Sequence, residues 1–512
     1  MTDATASQDD VLAFLARTST HDGAPVRRID THAAVVFLAG SRAFKVKRAV
    51  RFPFLDYSTL DKRKAACTAE IEANRRFAPD LYRGVVAITQ ESDGRLSLGG
   101  SGEPVEWAVE MRRFDETATL DRLAERNALG PTLAETLGQV VAQAHADAPE
   151  VAALPWIDAI ATYIEQNDTA FREFGELFEI GAVAELMEHS RSALARIRPL
   201  LMARGRLGLV RRGHGDLHLG NIALIDGRPV LFDAIEFDPL AASGDVLYDL
   251  AFLLMDLVER GLRPAANVVL NRYLLETRRA EDLDALAALP LFMSVRAAIR
   301  AKVTAARLAY ASACECAPIA ATAKKYFQLA TRLISPPRPL LVAIGGLSGT
   351  GKSVLARALA PDLLPEPGAV VLRSDVERKG LFGVLETDRL PAEAYVAEVT
   401  AHVYGVLADK AHRAIGAGHA AIVDGVFADP DQRKTIAMVA DSAGVAFRGI
   451  FLSTDLATRL ARVGGRANDA SDADAAVAKQ QEGYALGSVD WSVLDASGDI
   501  AQTLRLTKSA LK

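Results

Sequence analysis

The sequence predicts a multidomain chain, an α+β half followed by an α/β half with a parallel sheet. Three observations carry this. Strand-like runs at 33–48 and 85–111 enclose a charged helical stretch at 60–77, then give way to an almost unbroken helical pattern. From Leu340 onward, short apolar strands alternate with helices, as parallel strands joined by crossovers do. Between these regions lies Ser335-Pro336-Pro337-Arg338-Pro339, whose prolines stop a helix and stiffen a connection. The expected domains are therefore 1–334 and 340–512, joined by a linker at 335–339. The first divides into an N-lobe over about 20–112 and a helical C-lobe over about 113–334.

Length and composition agree. A chain of 512 residues is too long for one core and implies roughly three or four structural units. Half the residues are hydrophobic and 24% are charged, an ordinary globular profile. The net charge of −6 argues against a nucleic-acid surface, and no basic stripe interleaved with aromatics is present. Cys67, Cys314 and Cys316 can neither staple a chain of this size nor complete a zinc site. The acidic first ten residues lack an apolar core, so no signal peptide is expected. Asp249 and Asp256 interrupt the apolar run at 246–258, which excludes a membrane span there. The cytoplasm is the expected compartment.

In chain order, 10–17 reads as a short amphipathic helix, and 33–38 with 42–48 as a hairpin around Ala39-Gly40-Ser41. Lys45 and Lys47, two apart on the second strand, share a face. From this segment alone, a solvated lysine face is the preferred reading. The helix at 60–77 carries Glu70 and Glu72, and 85–88 and 107–111 continue the sheet. Helices follow until His214-Gly215-Asp216-Leu217-His218-Leu219-Gly220-Asn221, a polar loop between glycines. A strand pair then ends in Asp233. A loop displaying Asp216 and Asn221 beside a strand-end acid suits a metal triphosphate next to a hydroxyl. Asp216 can accept a proton, and Asn221 and Asp233 can chelate Mg²⁺. A histidine-rich turn with structural hydrogen bonds is the competing reading.

That loop resembles the catalytic loop of the aminoglycoside phosphotransferase and choline kinase family, which shares the protein-kinase fold. The likeness spans about 33–257. It implies that Asp216 is the catalytic aspartate, and that Asn221 and Asp233 are metal ligands. It also implies a strand lysine on the α/β-phosphates, Lys45 with Lys47 as alternate, and a helix partner, Glu70 with Glu72 as alternate. Glu110-Met111-Arg112-Arg113-Phe114 falls where a hinge would contact adenine, with Met111 as its candidate nucleotide-binding residue. Asp245 and Asp249 fall where an aspartate buttresses the loop; the alternative is a helix cap followed by a surface acid. Two departures stand out. No Gly-x-Gly-x-x-Gly precedes Lys45, so the 38–41 turn must cover the phosphates, and Ala234-Ile235 replaces the Phe-Gly that follows the metal aspartate in protein kinases.

Helices return from 251 to 334, where Arg296, Arg300, Lys302 and Arg307 read as a solvated or inter-domain face, with an acceptor-site patch as the alternative. After the linker, an apolar strand at 340–346 meets a glycine turn and a helix. Gly346 to Ser353 fits Gly-x-x-x-x-Gly-Lys-Ser/Thr without mismatch. In this phosphate loop Gly346, Ser348, Gly349, Thr350 and Gly351 offer backbone N–H groups at a positive helix end. Lys352 reaches the β- and γ-phosphates, and Ser353 holds Mg²⁺. Strands at 369–375 and 420–424 end in Asp375 and Asp424, and a third lies at 446–452. Ligands of parallel sheets sit at strand C-termini, so both acids project toward Lys352. Such acids take the acceptor's proton (Asp375) or hold the metal (Asp424); helix capping is the alternative. The helix at 456–466 supplies Arg459, Arg462 and Arg466, either a lid neutralising transferred charge or a solvated face.

This half resembles P-loop kinases of the gluconate kinase, polynucleotide kinase and zeta-toxin type. In that likeness Asp375 and Arg378 match an acceptor motif, and Arg462 and Arg466 match lid arginines. The whole order resembles bacterial proteins that join an aminoglycoside phosphotransferase-like domain to an ATP-binding domain. The expected function is transfer of the ATP γ-phosphate, with Mg²⁺, to hydroxyl groups of small molecules at two sites. The alternative makes one half a nucleotide-sensing module that controls a single active kinase.

Overall fold

In a computed structural model, residues 6–52, 55–465 and 470–511 are described. Packing divides the chain into two compact units. One comprises Met1–Ile160 with Leu201–Asp256, the other Ala161–Leu200 with Leu257–Lys512.

The first unit is built on an antiparallel sheet of six strands in the order β1-β2-β3-β8-β6-β7. These are β1 (Val26–Asp30), β2 (Ala34–Ala39), β3 (Arg42–Lys47), β6 (Tyr82–Gln90), β7 (Leu96–Leu98) and β8 (Glu103–Arg112); a small separate pair, β4 (Arg51–Phe52) and β5 (Leu55–Asp56), follows β3. Alternation along β3 sorts its side chains between two cores. Phe44 and Val46 pack with Val11, Leu12 and Leu15 of the N-terminal helix Gln8–Leu15. Ala43 faces the other way, toward Cys67 and Ile71 of the helix Leu60–Asn74, and the period of two sends Lys45 and Lys47 to that same face. Lys47 is therefore only 3% exposed. The solvated lysine face expected from the segment is wrong, because a second helix covers that side of the sheet.

Beyond the sheet, β9 (Val210–Arg212) pairs with β12 (Ser243–Asp245), and β10 (Ile222–Ile225) with β11 (Arg228–Leu231). The polar loop 213–221 lies between β9 and β10. The apolar helix Val246–Glu259 follows β12 directly.

In the second unit five parallel strands run in the order β14-β15-β13-β16-β17, with β13 (Leu340–Gly346), β14 (Val370–Arg373), β15 (Ala421–Asp424), β16 (Ala446–Ser453) and β17 (Ser492–Asp495). Val342 and Ile344 of β13 pack against Leu355 and Leu359 of the helix Lys352–Leu359. The helix Arg263–Thr277 caps the open edge at β14. Asn271 accepts the Val371 N–H at 2.7 Å and donates to the Ala369 carbonyl at 3.1 Å, and Asn267 donates to that carbonyl at 3.0 Å. Two asparagines thus pair backbone groups that an edge strand leaves unpaired. The basic run 296–307 is a solvated face only in part: Arg307 is exposed, but Arg296 is buried and Arg300 lies over the Tyr326 ring. Among the described residues no helix is long and apolar enough to cross a membrane.

Candidate active sites

In the first unit the site grows from β3. Lys45 donates to Glu70 Oε1 at 2.9 Å and to Asp233 Oδ1 at 2.6 Å. Glu70 is fully buried on the sheet-facing side of its helix, whereas Glu72 points to solvent. The helix alternate is thereby settled in geometry. Lys47 ion-pairs with Glu70 Oε2 and Glu236 Oε1, each at 2.5 Å. Lys45 keeps 17% of its side chain exposed and Lys47 3%, so Lys45 is the lysine that opens onto the site. Burial alone would raise the Glu70 pKa, but the ammonium groups of Lys45 and Lys47 outweigh it and hold Glu70 ionised.

Asp233 sits just past β11 with φ of +61°, an unusual conformation for a residue with a Cβ. Its N–H donates to the Tyr82 hydroxyl at 3.1 Å. One residue on, the Ala234 N–H donates to Asn74 Oδ1 at 2.7 Å. Asn74 lies one helical turn beyond Glu70, so one helix positions both Lys45 and the segment at Asp233.

The loop 213–221 is held from behind. Asp249 accepts the N–H groups of His214 at 2.7 Å and Gly215 at 3.0 Å, and His145 lies 3.3 Å from the same carboxylate. Asp249 is 5% exposed, so the surface-acid alternative falls. Its neighbour Asp245 pairs instead with the buried Arg204 at 2.6 and 2.9 Å. A Cβ on Gly213 would stand 2.6 Å from Asp249 Oδ2, so only glycine lets the carboxylate this close. His214 donates from Nε2 to the Phe232 carbonyl at 2.9 Å, and burial lowers its pKa and keeps it neutral. At the front, Asn221 Nδ2 donates to both the backbone oxygen and Oδ2 of Asp216 at 3.0 Å, and His218 is 3.4 Å from that oxygen. Asp216, Asn221, Asp233 and Lys45 are thus all held by neighbours within this unit. Met111 is 9% exposed and packs with Leu38, Ala43 and Val109, so its side chain belongs to the core at the hinge. The turn before Lys45 is fixed at Ser41, whose carbonyl accepts the Arg113 N–H at 2.9 Å.

In the second unit, a cavity of about 1130 Å³ holds Ser348, Gly349, Thr350, Gly351, Lys352 and Ser353 with Asp375, Arg378, Asp424 and Arg462. Gly346, Gly349 and Gly351 have φ of 138°, 90° and 93°, conformations that favour glycine. A Cβ on Gly349 would meet the Arg459 carbonyl at 2.7 Å. Asp424 ends β15, 3.4 Å from Arg373 Nε. The strand before Asp375 stops at Arg373, two residues earlier than expected, so Asp375 lies in the first turn of the helix Ser374–Leu381. Burial and the Asp424 charge raise its pKa, against Arg373 and Lys352. Arg378, one turn on, is 6% exposed and donates to the Ala394 carbonyl at 2.5 Å; its Nε has no hydrogen-bond partner among the described residues. Arg462 lines the cavity and donates to the Gly498 carbonyl at 2.9 Å. Arg459 is buried and donates to the Ser348 carbonyl at 2.9 Å, which makes it a strut of the phosphate loop rather than a lid cation. Arg466 lies outside the described residues.

Sequence reasoning passed over Asn74, Tyr82, Asp256 and Gln481. Asp256 accepts the Leu219 N–H at 2.9 Å, and Gln481 accepts the Ser348 N–H at 2.7 Å. Asp256 carried a signal, an acid at i+7 from Asp249 in an apolar helix; Gln481 carried none.

A model of the phosphotransferase enzyme family matches residues 45–289, and a model of an AAA domain matches 341–485. An uncharacterized protein of Mycobacterium tuberculosis is 31% identical over 502 residues, covering 94% of this chain and 95% of the relative. One from Mycobacterium bovis matches to the same extent. Among solved structures, a choline/ethanolamine kinase family protein from Mesorhizobium loti is 15% identical, with a TM-score of 0.36, over 64% of this chain and 98% of that one. A gluconokinase from Sinorhizobium meliloti is 16% identical, with a TM-score of 0.24, over 34% and 94%. The chain belongs to the family of these mycobacterial proteins, and it joins an aminoglycoside phosphotransferase and choline kinase-like domain to a P-loop kinase domain.

Proposed function

We propose that each half transfers the γ-phosphate of ATP to a hydroxyl group of a small molecule, in the cytoplasm and without nucleic-acid partners. The observation that carries the reading is the composition of the second unit's cavity. Phosphate-side groups (Lys352, Ser353, Arg462) and acceptor-side groups (Asp375, Arg378) line one enclosure.

The donor sets fit the cofactors these families use. Among the described residues no cluster of three or more His, Cys, Asp or Glu could hold a metal alone. Magnesium is usually held by one or two protein oxygens plus substrate phosphates, and Asn221 with Asp233, or Ser353 with Asp424, supply such oxygens. Bound there, Mg·ATP would supply the phosphoryl group and neutralise its charge. The chain's own residues do the rest. Lys45, oriented by Glu70, and Lys352, on its glycine cradle, bind phosphate oxygens. Asp216 and Asp375 take the acceptor's proton. The raised pKa of Asp375 supports that role, because a base works best with a pKa nearer the working pH. Arg378 has no carboxylate partner among the described residues, which favours an acceptor that carries an anionic group near its hydroxyl.

The test is labelled-ATP transfer by the full chain to a panel of sugars, amino alcohols and nucleosides, with and without anionic groups. Lys352→Ala and Asp216→Asn should each abolish one transfer and spare the other. A half that only senses nucleotide would leave every transfer intact when its own lysine or aspartate is replaced.

A further inference from the structure

We propose that Lys47 and Glu236 are a positioning pair that holds the 233–236 segment, and through it Asp233, in place for the metal. This rests on the reading of the first unit as a Mg·ATP site.

Residues 233–236 belong to no helix or strand, so no ladder of hydrogen bonds fixes them. Yet Asp233 adopts φ of +61°, which persists in a residue with a Cβ only where surrounding contacts impose it. At the start of the segment those contacts are Tyr82 and Asn74. In the middle, the Ile235 N–H donates to the His214 carbonyl at 3.0 Å. At the far end, Glu236 meets the Lys47 ammonium at 2.5 Å and accepts the Tyr57 hydroxyl at 3.2 Å, all three side chains being buried. Lys47 also lies 5.3 Å from the Tyr57 ring centre.

The buried lysine has no outlet to substrate, so phosphate contact does not explain it. Its second partner does. Lys47 takes Glu70 Oε2 and Lys45 takes Oε1, so Lys47 fixes the carboxylate that aims Lys45. Two ammonium groups face three carboxylates, Glu70, Asp233 and Glu236, leaving one negative charge in excess. Asp233 is the member that remains 45% exposed, so the excess sits where a cation can reach it.

The experiment uses the full chain carrying Lys352→Ala, so that nucleotide and metal binding report on the first unit. Mn²⁺ is titrated by electron paramagnetic resonance with a non-hydrolysable ATP analogue, and the analogue is titrated separately without metal. Lys47→Met and Glu236→Gln should each weaken Mn²⁺ binding about 10- to 100-fold, as loss of outer-shell support does. Metal-free nucleotide affinity should change less than about twofold on Glu236→Gln, because Lys45 and Glu70 remain. The double variant Lys47→Met/Glu236→Leu discriminates between positioning and stability. It leaves one fewer buried carboxylate unpaired than Lys47→Met and should regain melting temperature over that variant, yet still bind Mn²⁺ weakly. Wild-type Mn²⁺ affinity in a folded single variant, or in the double variant, would overturn the proposal. A Lys352→Ala parent that binds no Mn²⁺ with nucleotide would overturn the reading of the site itself, and the proposal with it.

Discussion

Replacing Asp249 with Ala tests whether the 213–221 loop is held from behind. The carboxylate accepts two backbone N–H groups, from His214 and Gly215, at 2.7 and 3.0 Å, in a site 5% exposed. Hydrogen bonds to a charged acceptor contribute about 1.5–3 kcal/mol each, so losing both should cost roughly 3–6 kcal/mol. The truncated side chain offers these amides no replacement acceptor. For a unit of this size each kcal/mol lowers the midpoint by about 2–4 °C, so its transition should fall by roughly 6–24 °C. Two measurements check this on the full chain. Differential scanning calorimetry should show one transition moving while the other stays, and hydrogen exchange should show lost protection at residues 214 and 215. Asp249→Asn keeps one acceptor oxygen and should lie between Ala and wild type. An Asp249→Ala protein melting within about 2 °C of wild type, with protected amides, would refute the buttress.

Three further outcomes follow from the second unit. Lys352→Ala should weaken Mg·ATP binding there at least tenfold by isothermal titration, because a phosphate-facing charge is lost from the glycine cradle. Asp375→Asn should abolish transfer while stabilising the unit at neutral pH. Burial and Asp424 raise the Asp375 pKa, so between the unfolded and folded values the folded chain binds more protons and stability falls as pH rises. The gain over wild type should vanish toward acid, which a series of melts across pH would read. Asn271→Ala should cost about 1–3 kcal/mol by orphaning the Val371 N–H, measured as increased exchange at that amide and a lower midpoint.

How much was legible in the sequence follows the range of the forces involved. Gly346 to Ser353 announced itself because a phosphate cradle needs particular residues at consecutive positions, and the structure places Ser348 to Ser353 in one cavity. Asp216 and Asn221 were legible for the same local reason. Lys45 and Lys47 were not separable, since a strand's period of two puts both on one face, and only the helix across the sheet divides the oxygens of Glu70 between them. The burial of Lys47 was misjudged because it depends on Glu236, 189 positions away. Arg459 and Arg462 differ by three residues on one helix, yet one supports the phosphate loop and the other faces the cavity. Gly349 decides that distinction: its missing Cβ lets the Arg459 backbone come close.

If both halves bind ATP as proposed, the two sites meet one physical demand by opposite means. A triphosphate needs dense positive potential that does not rearrange as charge moves. In the second unit the backbone is arranged to supply it, through glycines at positive φ and a helix N-terminus, and the fixed parts are the struts Arg459 and Gln481 that grip Ser348 from both sides. In the first unit no glycine-rich run precedes Lys45, and the potential comes from side chains. Side chains rotate, so each must be locked by another: Lys45 by Glu70, Glu70 by Lys47, and Lys47 by Glu236. A chain of buried ion pairs is costly to desolvate, and breaking one link leaves a charge stranded. The first unit should therefore tolerate substitution around its phosphate-facing lysine far less than the second tolerates changes beside its loop. Lys47→Met should lower the first transition by more than Gln481→Ala lowers the second. The reverse order in calorimetry would mean that the buried charges are dispensable, and that backbone contacts hold this site too.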